Sequence, residues 1–269
     1  SNWNTDEHNL RFVELATSPG GPELDISLAD FSGSWLDNAV FVGTFARGVN
    51  FQHASLTHAQ MFLASFWDAD LSGANLTSAV LGQTMLAAAN LSGANLENCS
   101  LSGADLSNAN LSDANLDGAG LFGAILTGTT FTNATVAHAG FGDTTSHGFT
   151  REQLYATRSY QTRDLRGIEL GYNNDLSGWN LSSQDLSDAS MQFAHFEGAD
   201  FTGATLTRAA LYDSVLTDAK LSGANLANAN LSGTVLTRAV VSGANFSGTT
   251  SVGLGGLTKG QLYSTLSYE

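Results

Sequence analysis

The chain has 269 residues, a formal net charge of −15, 29 glycines and only 13 % charged residues. The acidic excess argues against direct contact with a nucleic-acid backbone or an anionic membrane surface, because both need clusters of Lys and Arg. No apolar run approaches the length of about 18 residues that a membrane-spanning helix requires.

A five-residue repeat begins at Phe31 and continues without a slip to Phe141. All 23 residues at this spacing are apolar, and the residue two positions earlier is Ala in 17 of the 23 units. The position between them is polar and often Asn or Asp, as in Ala74-Asn75-Leu76. Ser or Thr, and then Gly, Asn or Asp, complete the unit. An internal repeat of this length determines the fold.

A period of five fits neither an α-helix nor a simple β-strand. Within one unit the small and the large residue are two apart, so both point to the same side of an extended segment. The following Ser-Gly or Ser-Asn provides a corner, where Gly and Asn tolerate a positive φ. A short strand and a corner, repeated with one side always apolar, predict a solenoid.

The repeat is interrupted by a segment that predicts a helical junction, Gly148–Tyr160, which continues through Asp164–Leu170. Thr150 followed three residues later by Gln153 is a capping-box pattern and predicts a short helix. The five-residue spacing then returns at Leu176 and runs for 15 further units to Phe246.

These units resemble the A-(D/N)-L-x-x signature of the pentapeptide-repeat family, over roughly residues 29–143 and 174–248. The resemblance implies an all-β fold, a right-handed quadrilateral parallel β-helix with four pentapeptides, hence twenty residues, in each coil. With that coil length, Asn75, Asn95 and Asn115 are predicted to stack as an amide ladder outside the core. Cys99 occupies the position of an inward Ala and is predicted to be a small core residue.

We therefore predict two blocks of β-helix with short helical junction segments. The N-terminal segment and the first block occupy residues 1–147, and the junction occupies 148–173. The second block occupies 174–255, and a C-terminal half-junction occupies 256–269.

The C-terminal segment Gly256–Tyr268 repeats the internal segment Gly148–Tyr160, and the N-terminal run Asn9–Leu15 repeats Asp164–Leu170. The chain thus carries the first half of a junction near one end and the second half near the other. Either an ancestral module was duplicated and the halves became caps, or the halves of two chains join head to tail. An open head-to-tail contact generates filaments. The predicted subunit interface consists of Asn9, Leu10, Arg11, Val13, Glu14, Leu15, Thr258, Gln261, Leu262, Tyr263 and Tyr268.

No catalytic, cofactor-binding or metal-binding residue is predicted. His53 and His58 occupy equivalent corners on successive faces, which point apart, and the carboxylates fall at outward positions of a solenoid without a cleft. Trp179 takes a small-residue position and is predicted to be packed. Trp67 follows an inward Phe, so we expect it to point outward, where it could contact a partner.

The sequence predicts a non-enzymatic structural protein whose main partner is a second copy of itself, in a head-to-tail homopolymer such as an extracellular filament or coat. Few charges and many Ser, Thr, Asn and Gly residues favour secretion or the cell surface. The alternative is an acidic binding module, including mimicry of DNA towards a DNA-binding protein such as gyrase. The resemblance implies that alternative, because some members of the family resemble duplex DNA and bind gyrase.

Overall fold

A computed structural model describes residues 24–250 and, near the C-terminus, residues 260, 262 and 265. The chain divides into two compact units. Unit 1 comprises Ser1–Val136, His147–Phe149 and Ala156–Arg158, and unit 2 comprises Ala137–Ser146, Thr150–Tyr155 and Ser159–Glu269. The predicted block boundaries at 1–147 and 174–255 stay a prediction.

Parallel β-bridges join residues that are 20 apart throughout unit 1, from Asp25↔Phe45 to Asn115↔Thr135. Four pentapeptides therefore complete one coil, which confirms the predicted coil length. The lattice starts at Leu24, one unit before the Phe31 unit where the sequence pattern begins. Each bridge involves one residue per side, because every extended segment is only about three residues long before it turns.

All five N–H groups of the unit centred on Leu91 have a partner, and that of Asn90 donates to the carbonyl of Ala69 in the preceding coil. The N–H of Leu91 donates to the carbonyl of Asn110 in the next coil, and that of Gly93 donates to Ser112. The N–H of Ala94 closes the turn onto the carbonyl of Leu91. The remaining N–H, on Ser92, donates to Oδ1 of Asn90 at 3.2 Å. The Asn or Asp of the repeat is thus a local cap for the corner.

The second residue after each large inward residue has a left-handed backbone conformation, for example Gly93 at φ 64° and Asn98 at φ 55°. This confirms the corners that were predicted from Gly and Asn. The side chain at a corner can lie over the corner of the next coil, twenty residues later, where a Gly leaves space for that side chain. A Cβ added to Gly118 would lie 2.4 Å from Oδ1 of Asn98, which explains this pairing of residues twenty apart.

The core of unit 1 is built from the small and the large inward residues, which are essentially inaccessible to solvent from Leu36 to Val136. Near its start, the rings of Phe41 and Phe51 pack edge to face with centroids 5.5 Å apart. The predicted amide ladder forms between Asn115 Nδ2 and Asn95 Oδ1 at 3.0 Å, whereas Asn95 Nδ2 donates to Thr77 Oγ1 instead of Asn75.

Three short helices interrupt the ladder: the 3₁₀-helix η1 (Thr145–His147), α1 (Arg151–Tyr155) and α2 (Arg158–Gln161). The ladder of unit 2 already includes Asp164 and Glu169, which bridge to Asp185 and Ser190. The sequence pattern assigns both residues to the predicted junction 148–173.

The bridges Asp164↔Asp185 and Glu169↔Ser190 of unit 2 join residues 21 apart, whereas the later bridges of the unit join residues 20 apart. The extra residue is a bulge, because the N–H groups of Leu170 and Gly171 both donate to the carbonyl of Ser190. A Cβ on Gly171 would lie 2.6 Å from the carbonyl oxygen of Gln192, so only Gly fits there.

Cys99 is buried as predicted, and its Sγ–H faces the carbonyls of Ala79 and Leu76 at 3.2 and 3.4 Å. Burial raises the pKa of the Cys99 thiol far above its ordinary value. We expect the native protein to resist an alkylating reagent, because only a thiolate reacts. Labelling measured against urea concentration should follow the unfolding transition seen by circular dichroism. Rapid labelling without urea would contradict this packing.

Candidate functional site

Of the predicted interface residues, only Leu262 lies within the part of the chain that the structure describes. Asn9, Leu10, Arg11, Val13, Glu14, Leu15, Thr258, Gln261, Tyr263 and Tyr268 lie outside the described residues. Leu262 is half-buried in a helical turn, and its carbonyl accepts hydrogen bonds from the N–H and Oγ1 of Thr265 at 3.2 and 2.9 Å.

The internal counterpart of the C-terminal segment forms the predicted capping box. The N–H of Gln153 donates to Oγ1 of Thr150 at 3.3 Å, and the N–H of Thr150 donates to Oε1 of Gln153 at 2.8 Å. The box positions α1 so that Leu154 is fully buried. The helical prediction for Gly148–Tyr160 is therefore confirmed at α1.

Two tyrosines that follow the box hold one strand of unit 2 by its backbone. The rings of Tyr155 and Tyr160 stack with centroids 4.4 Å apart. The Tyr160 hydroxyl donates to the carbonyl of Asn180 at 2.8 Å, and the N–H of Asn180 donates to the Tyr155 hydroxyl. Trp179, which is buried as predicted, packs edge to face on Tyr155. We call Tyr155 and Tyr160 the tyrosine clamp.

The second half of the junction contributes buried apolar residues to unit 2. Leu165, Ile168 and Leu170 are fully buried, and Glu169 takes its place in the parallel ladder with Gly140 and Ser190. These positions correspond to Leu10, Val13, Leu15 and Glu14 of the N-terminal repeat. In unit 2, the role of this motif is to complete a coil.

Charged and exposed apolar side chains are unevenly distributed over the four sides of unit 1. We name the sides by their central inward residues: side A at Phe51, side B at Leu56, side C at Phe41 and side D at Ala46, each repeating every twenty residues. Residues 24–136 contain nine acidic residues and one basic residue. Sides A, B and D each carry three of the acidic residues and side C carries none; those of sides A and B are Asp30, Asp37, Asp70, Glu97, Asp113 and Asp117.

The exposed large apolar residues of unit 1 concentrate on sides C and D. Seven of the eight lie there: Leu28, Phe45, Phe62, Leu63, Trp67, Phe122 and Ile125. The eighth is Trp35, on side B. This segregation makes unit 1 amphipathic across its coil.

Phe45, Phe62, Leu63 and Trp67 lie on adjacent coils, and each is between 37 % and 49 % exposed. We call these four residues the apolar face. The ring of Phe62 lies over Gly82, which leaves it room. With side-chain areas of about 150–250 Å² each, the four expose roughly 350 Å² of apolar surface, which is typical of a functional patch. The exposure of Trp67 confirms its predicted outward direction.

Leu63 has a left-handed backbone at φ 60°, a conformation that costs an ordinary residue about 1–2 kcal/mol. Its side chain is 49 % exposed, so little burial offsets that cost. We expect Leu63→Gly to raise the free energy of unfolding by about 0.5 kcal/mol, since Gly adopts this conformation without strain but loses more entropy on folding. Urea denaturation tests this. Asn98→Gly should gain less, because Asn tolerates the conformation, and a destabilised Leu63→Gly variant would contradict the assigned strain.

Unit 2 has an aromatic cluster of its own at one corner. Phe193 lies between Tyr172 and Tyr212, with ring centroids 6.2 and 5.1 Å apart. Tyr172 and Phe193 have positive φ angles of 56° and 57°, and both are exposed. A shallow, open pocket next to Tyr212 is lined by Asp213, Asn230, Ser232 and Gly233.

Several carboxylates accept hydrogen bonds that stabilise the fold. Partial burial acts to raise the pKa of Asp70, but hydrogen bonds from Ser72, Gln52 and Asn90 together hold this pKa below its ordinary value. A hydrogen bond from Ser177 likewise lowers the pKa of Asp175. No group of three or more metal-ligating side chains occurs among the described residues, and no helix there is long and apolar enough to cross a membrane.

The pKa values of these carboxyls are lower in the folded state than in the unfolded state. Their ionisation therefore stabilises the folded state above the unfolded Asp pKa of about 3.9, and this stabilisation is lost as pH falls. We expect the urea midpoint to drop between neutral pH and about pH 3. Asp70→Asn keeps an acceptor for the Ser72 N–H but cannot titrate, so its midpoint should depend less on pH. An equal acid response in this variant would exclude Asp70 as a contributor.

The sequence interpretation singled out Trp67 but missed the rest of the apolar face. The signal was present in the outward positions, where Phe45 replaces the usual Asn or Asp, and Phe62-Leu63 replaces the usual Ser-Gly. These substitutions become a surface only when the outward residues are arranged at the 20-residue coil length.

A family model of pentapeptide repeats matches residues 25–68, 64–103, 99–136, 180–218 and 214–250, which is more than half of the chain. The chain belongs to the pentapeptide-repeat family. Membership implies the right-handed, four-sided β-helix, in agreement with the 20-residue coils. Pentapeptide-repeat proteins are in general structural and binding proteins, which agrees with a protein-binding module.

Several solved structures of pentapeptide-repeat proteins are similar to this chain. HetL of the cyanobacterium Nostoc sp. strain PCC 7120, involved in heterocyst differentiation regulation, is 28 % identical over 90 % of both chains, with a TM-score of 0.25. A protein of the Arabidopsis thaliana thylakoid lumen is 31 % identical over 42 % of this chain and 68 % of its own, with a TM-score of 0.21. QnrB1, a plasmid-mediated fluoroquinolone resistance protein, is 14 % identical over 91 % of this chain and 94 % of its own, with a TM-score of 0.29. No curated protein matches the chain.

Proposed function

We propose that this pentapeptide-repeat protein is a non-catalytic binding module whose protein partner docks on the apolar face of unit 1. The observation that carries the proposal is the concentration of exposed apolar side chains on sides C and D, which hold seven of the eight in unit 1. A solenoid core needs none of these outward residues, because the inward Leu, Phe and Ala already fill it.

The composition of the apolar face favours a protein over a nucleic acid or a lipid surface. Trp and Phe are the side chains that most often anchor protein interfaces. The only basic residue of residues 24–136 is Arg47, and it pairs with Asp68 at 2.9 Å. Residues 24–136 therefore have no cluster of cations that could hold phosphate groups.

Site-specific photo-cross-linking in cells tests this proposal. A photoreactive benzophenone residue replaces Trp67 on the apolar face, and a matched one replaces Asn95 on side B. We expect protein adducts at position 67, and the purified partner should bind at least about 10-fold more weakly to Trp67→Ser. Adducts at position 95 with none at position 67 would overturn the proposal.

A second candidate function is head-to-tail self-assembly, as in an extracellular filament or coat. The tyrosine clamp favours it, because Tyr155 and Tyr160 hold a coil through the backbone of Asn180 and need no particular side chain there. Tyr263 and Tyr268 repeat these residues, so the segment 256–268 carries the groups to hold a coil of another copy in the same way. The N-terminal repeat would supply the buried apolar residues of that junction, which are Leu10, Val13 and Leu15.

Deletion of residues 256–269 separates this candidate from the first. Filaments visible by negative-stain electron microscopy should disappear in the deletion variant and in Tyr263→Ala/Tyr268→Ala. Filaments that persist undiminished in both variants would exclude the junction-type contact. Substitution of Trp67 should leave such filaments intact, since it lies on a side of the coil.

The charge pattern gives less support to DNA mimicry. Within the described residues, the acidic side chains that pair with Arg or Lys are Asp68, Glu152, Asp164, Asp188, Asp200 and Asp218. These pairs neutralise charge that a phosphate-like surface would need. Inhibition of gyrase supercoiling by the purified protein, abolished by neutralising the acidic residues of sides A and B, would favour mimicry over the apolar face.

A further inference from the structure

We propose that the occupant of the apolar face is a second copy of the chain, so that two copies pack side by side through side D. This inference rests on the proposed function and names the partner. It is carried by the charge of the face relative to the rest of the molecule.

The apolar face is a neutral surface on a strongly acidic protein. A net charge of −15 makes two copies repel each other. Side A or side B of unit 1 would bring three carboxylates of one copy towards three of the other. In contrast, the only charged residues among the outward positions of residues 42–48 and 62–68 are Arg47 and Asp68, and these form an ion pair. Two copies of unit 1 can therefore approach closely on this surface without a like-charge clash.

Acidic residues mark the limits of this neutral surface along side D. The outward column of that side runs Asp25, Phe45, Ser65, Met85 and Asp105, joined by successive parallel bridges. The uncharged stretch of this column thus covers about three coils between two carboxylates. An apolar centre with a charged border is the usual arrangement of a protein interface.

The four residues can form the apolar centre of an interface between two identical copies. They expose about 350 Å² of the roughly 800 Å² per partner that a standard interface buries, and the polar residues around them would supply its rim. A two-fold contact uses the same patch on both copies, and a neutral patch meets itself without a like-charge clash. The half-buried Val42 and Met85 extend the apolar area on both edges of the face.

Sedimentation velocity of the full chain over a range of concentrations tests this inference. We expect a species of twice the 28.1 kDa chain mass. Added salt should strengthen the association, because it screens the repulsion between two acidic copies. The fluorescence of Trp67 should shift to shorter wavelength as the dimer forms, since the indole leaves water.

The decisive variant is Leu63→Gly/Trp67→Ser, which restores the Ser and Gly that most corners of the repeat carry. It should keep its circular dichroism and have a urea midpoint at least as high as that of the wild type, and its dimer dissociation constant should rise at least about 30-fold. Trp35→Asn removes an exposed Trp from side B instead and should leave the dimer unchanged.

Three results would overturn the second copy as occupant. The first is a dimer that survives Leu63→Gly/Trp67→Ser, which places the contact elsewhere. The second is a monomer at all concentrations whose position 67 cross-links to a different protein, which leaves the proposed function standing. The third is a monomer without adducts at position 67, which removes the proposed function as well.

Discussion

Asn174→Ala should lower the free energy of unfolding by about 3 kcal/mol, although Ala is the commonest residue at that position of the repeat. Asn174 is fully buried in unit 2. Its Oδ1 accepts from the N–H groups of Thr144 and Thr145 at 2.9 and 3.0 Å, and its Nδ2 donates to the carbonyls of Phe141 and Leu170 at 2.7 and 3.2 Å. Ala fits the space but leaves these backbone groups without the amide, and each buried unpaired group costs about 1–3 kcal/mol.

Two further variants identify the hydrogen bonds as the cause. Asn174→Asp keeps the acceptor but not the donors, and it buries a charge, so we expect a larger loss that partly recovers when acid protonates the carboxylate. Thr84→Ala acts at the same inward position in unit 1, where Oγ1 makes one hydrogen bond to the Met61 carbonyl at 2.9 Å, and should cost about 1 kcal/mol. Urea denaturation measures all three, and equal losses for Asn174→Ala and Thr84→Ala would refute this account.

Period five was enough to predict the core and the corners, because each depends on a local rule that every unit repeats, whereas the length of the coil came from the resemblance to the family. An inward pair two residues apart, an Asx side chain before the turn and a left-handed corner recur in the sequence itself. The capping box of Thr150 and Gln153 was predictable for the same reason, since both partners lie within one helical turn.

The features that escaped prediction depend on contacts between segments far apart in sequence. Asn174 looks like an ordinary member of the small-residue column until Phe141 and Thr144 are brought to it across some thirty residues. The bulge at Gly171 is set by the carbonyl of Gln192. The apolar face required the coil length to be applied to the outward residues as well as to the inward ones.

The surface rather than the core departs from the repeat pattern of this chain. The inward columns of Leu, Phe and Ala are dictated by packing and therefore identify the fold. Outward residues such as Phe45 and Leu63 depart from the template at positions where the fold gains nothing from them. Where an outward residue differs from the repeat pattern and also strains the backbone, as Leu63 does, its side chain serves a purpose other than folding.

Phe66→Ala and Phe62→Ala separate the core from the apolar face with the same chemical change four residues apart. The Phe66 ring is fully buried and packs edge to face on Phe41 and Phe51, with centroids 6.1 and 5.9 Å away. Its removal should lower the free energy of unfolding by about 3–5 kcal/mol, since neighbouring coils cannot collapse into the cavity without breaking their backbone ladder.

Phe62 is 37 % exposed and its ring lies over Gly82 at the surface, so Phe62→Ala should cost about 1 kcal/mol or less. The two variants should rank in the opposite order in the association assay. Phe62→Ala should weaken the dimer, whereas Phe66→Ala has no direct effect on the contacting surface. Urea midpoints and sedimentation on the same two proteins test both halves. If Phe62→Ala destabilised the monomer as much as Phe66→Ala, the ring would belong to the core, and the apolar face would lose one of its four members.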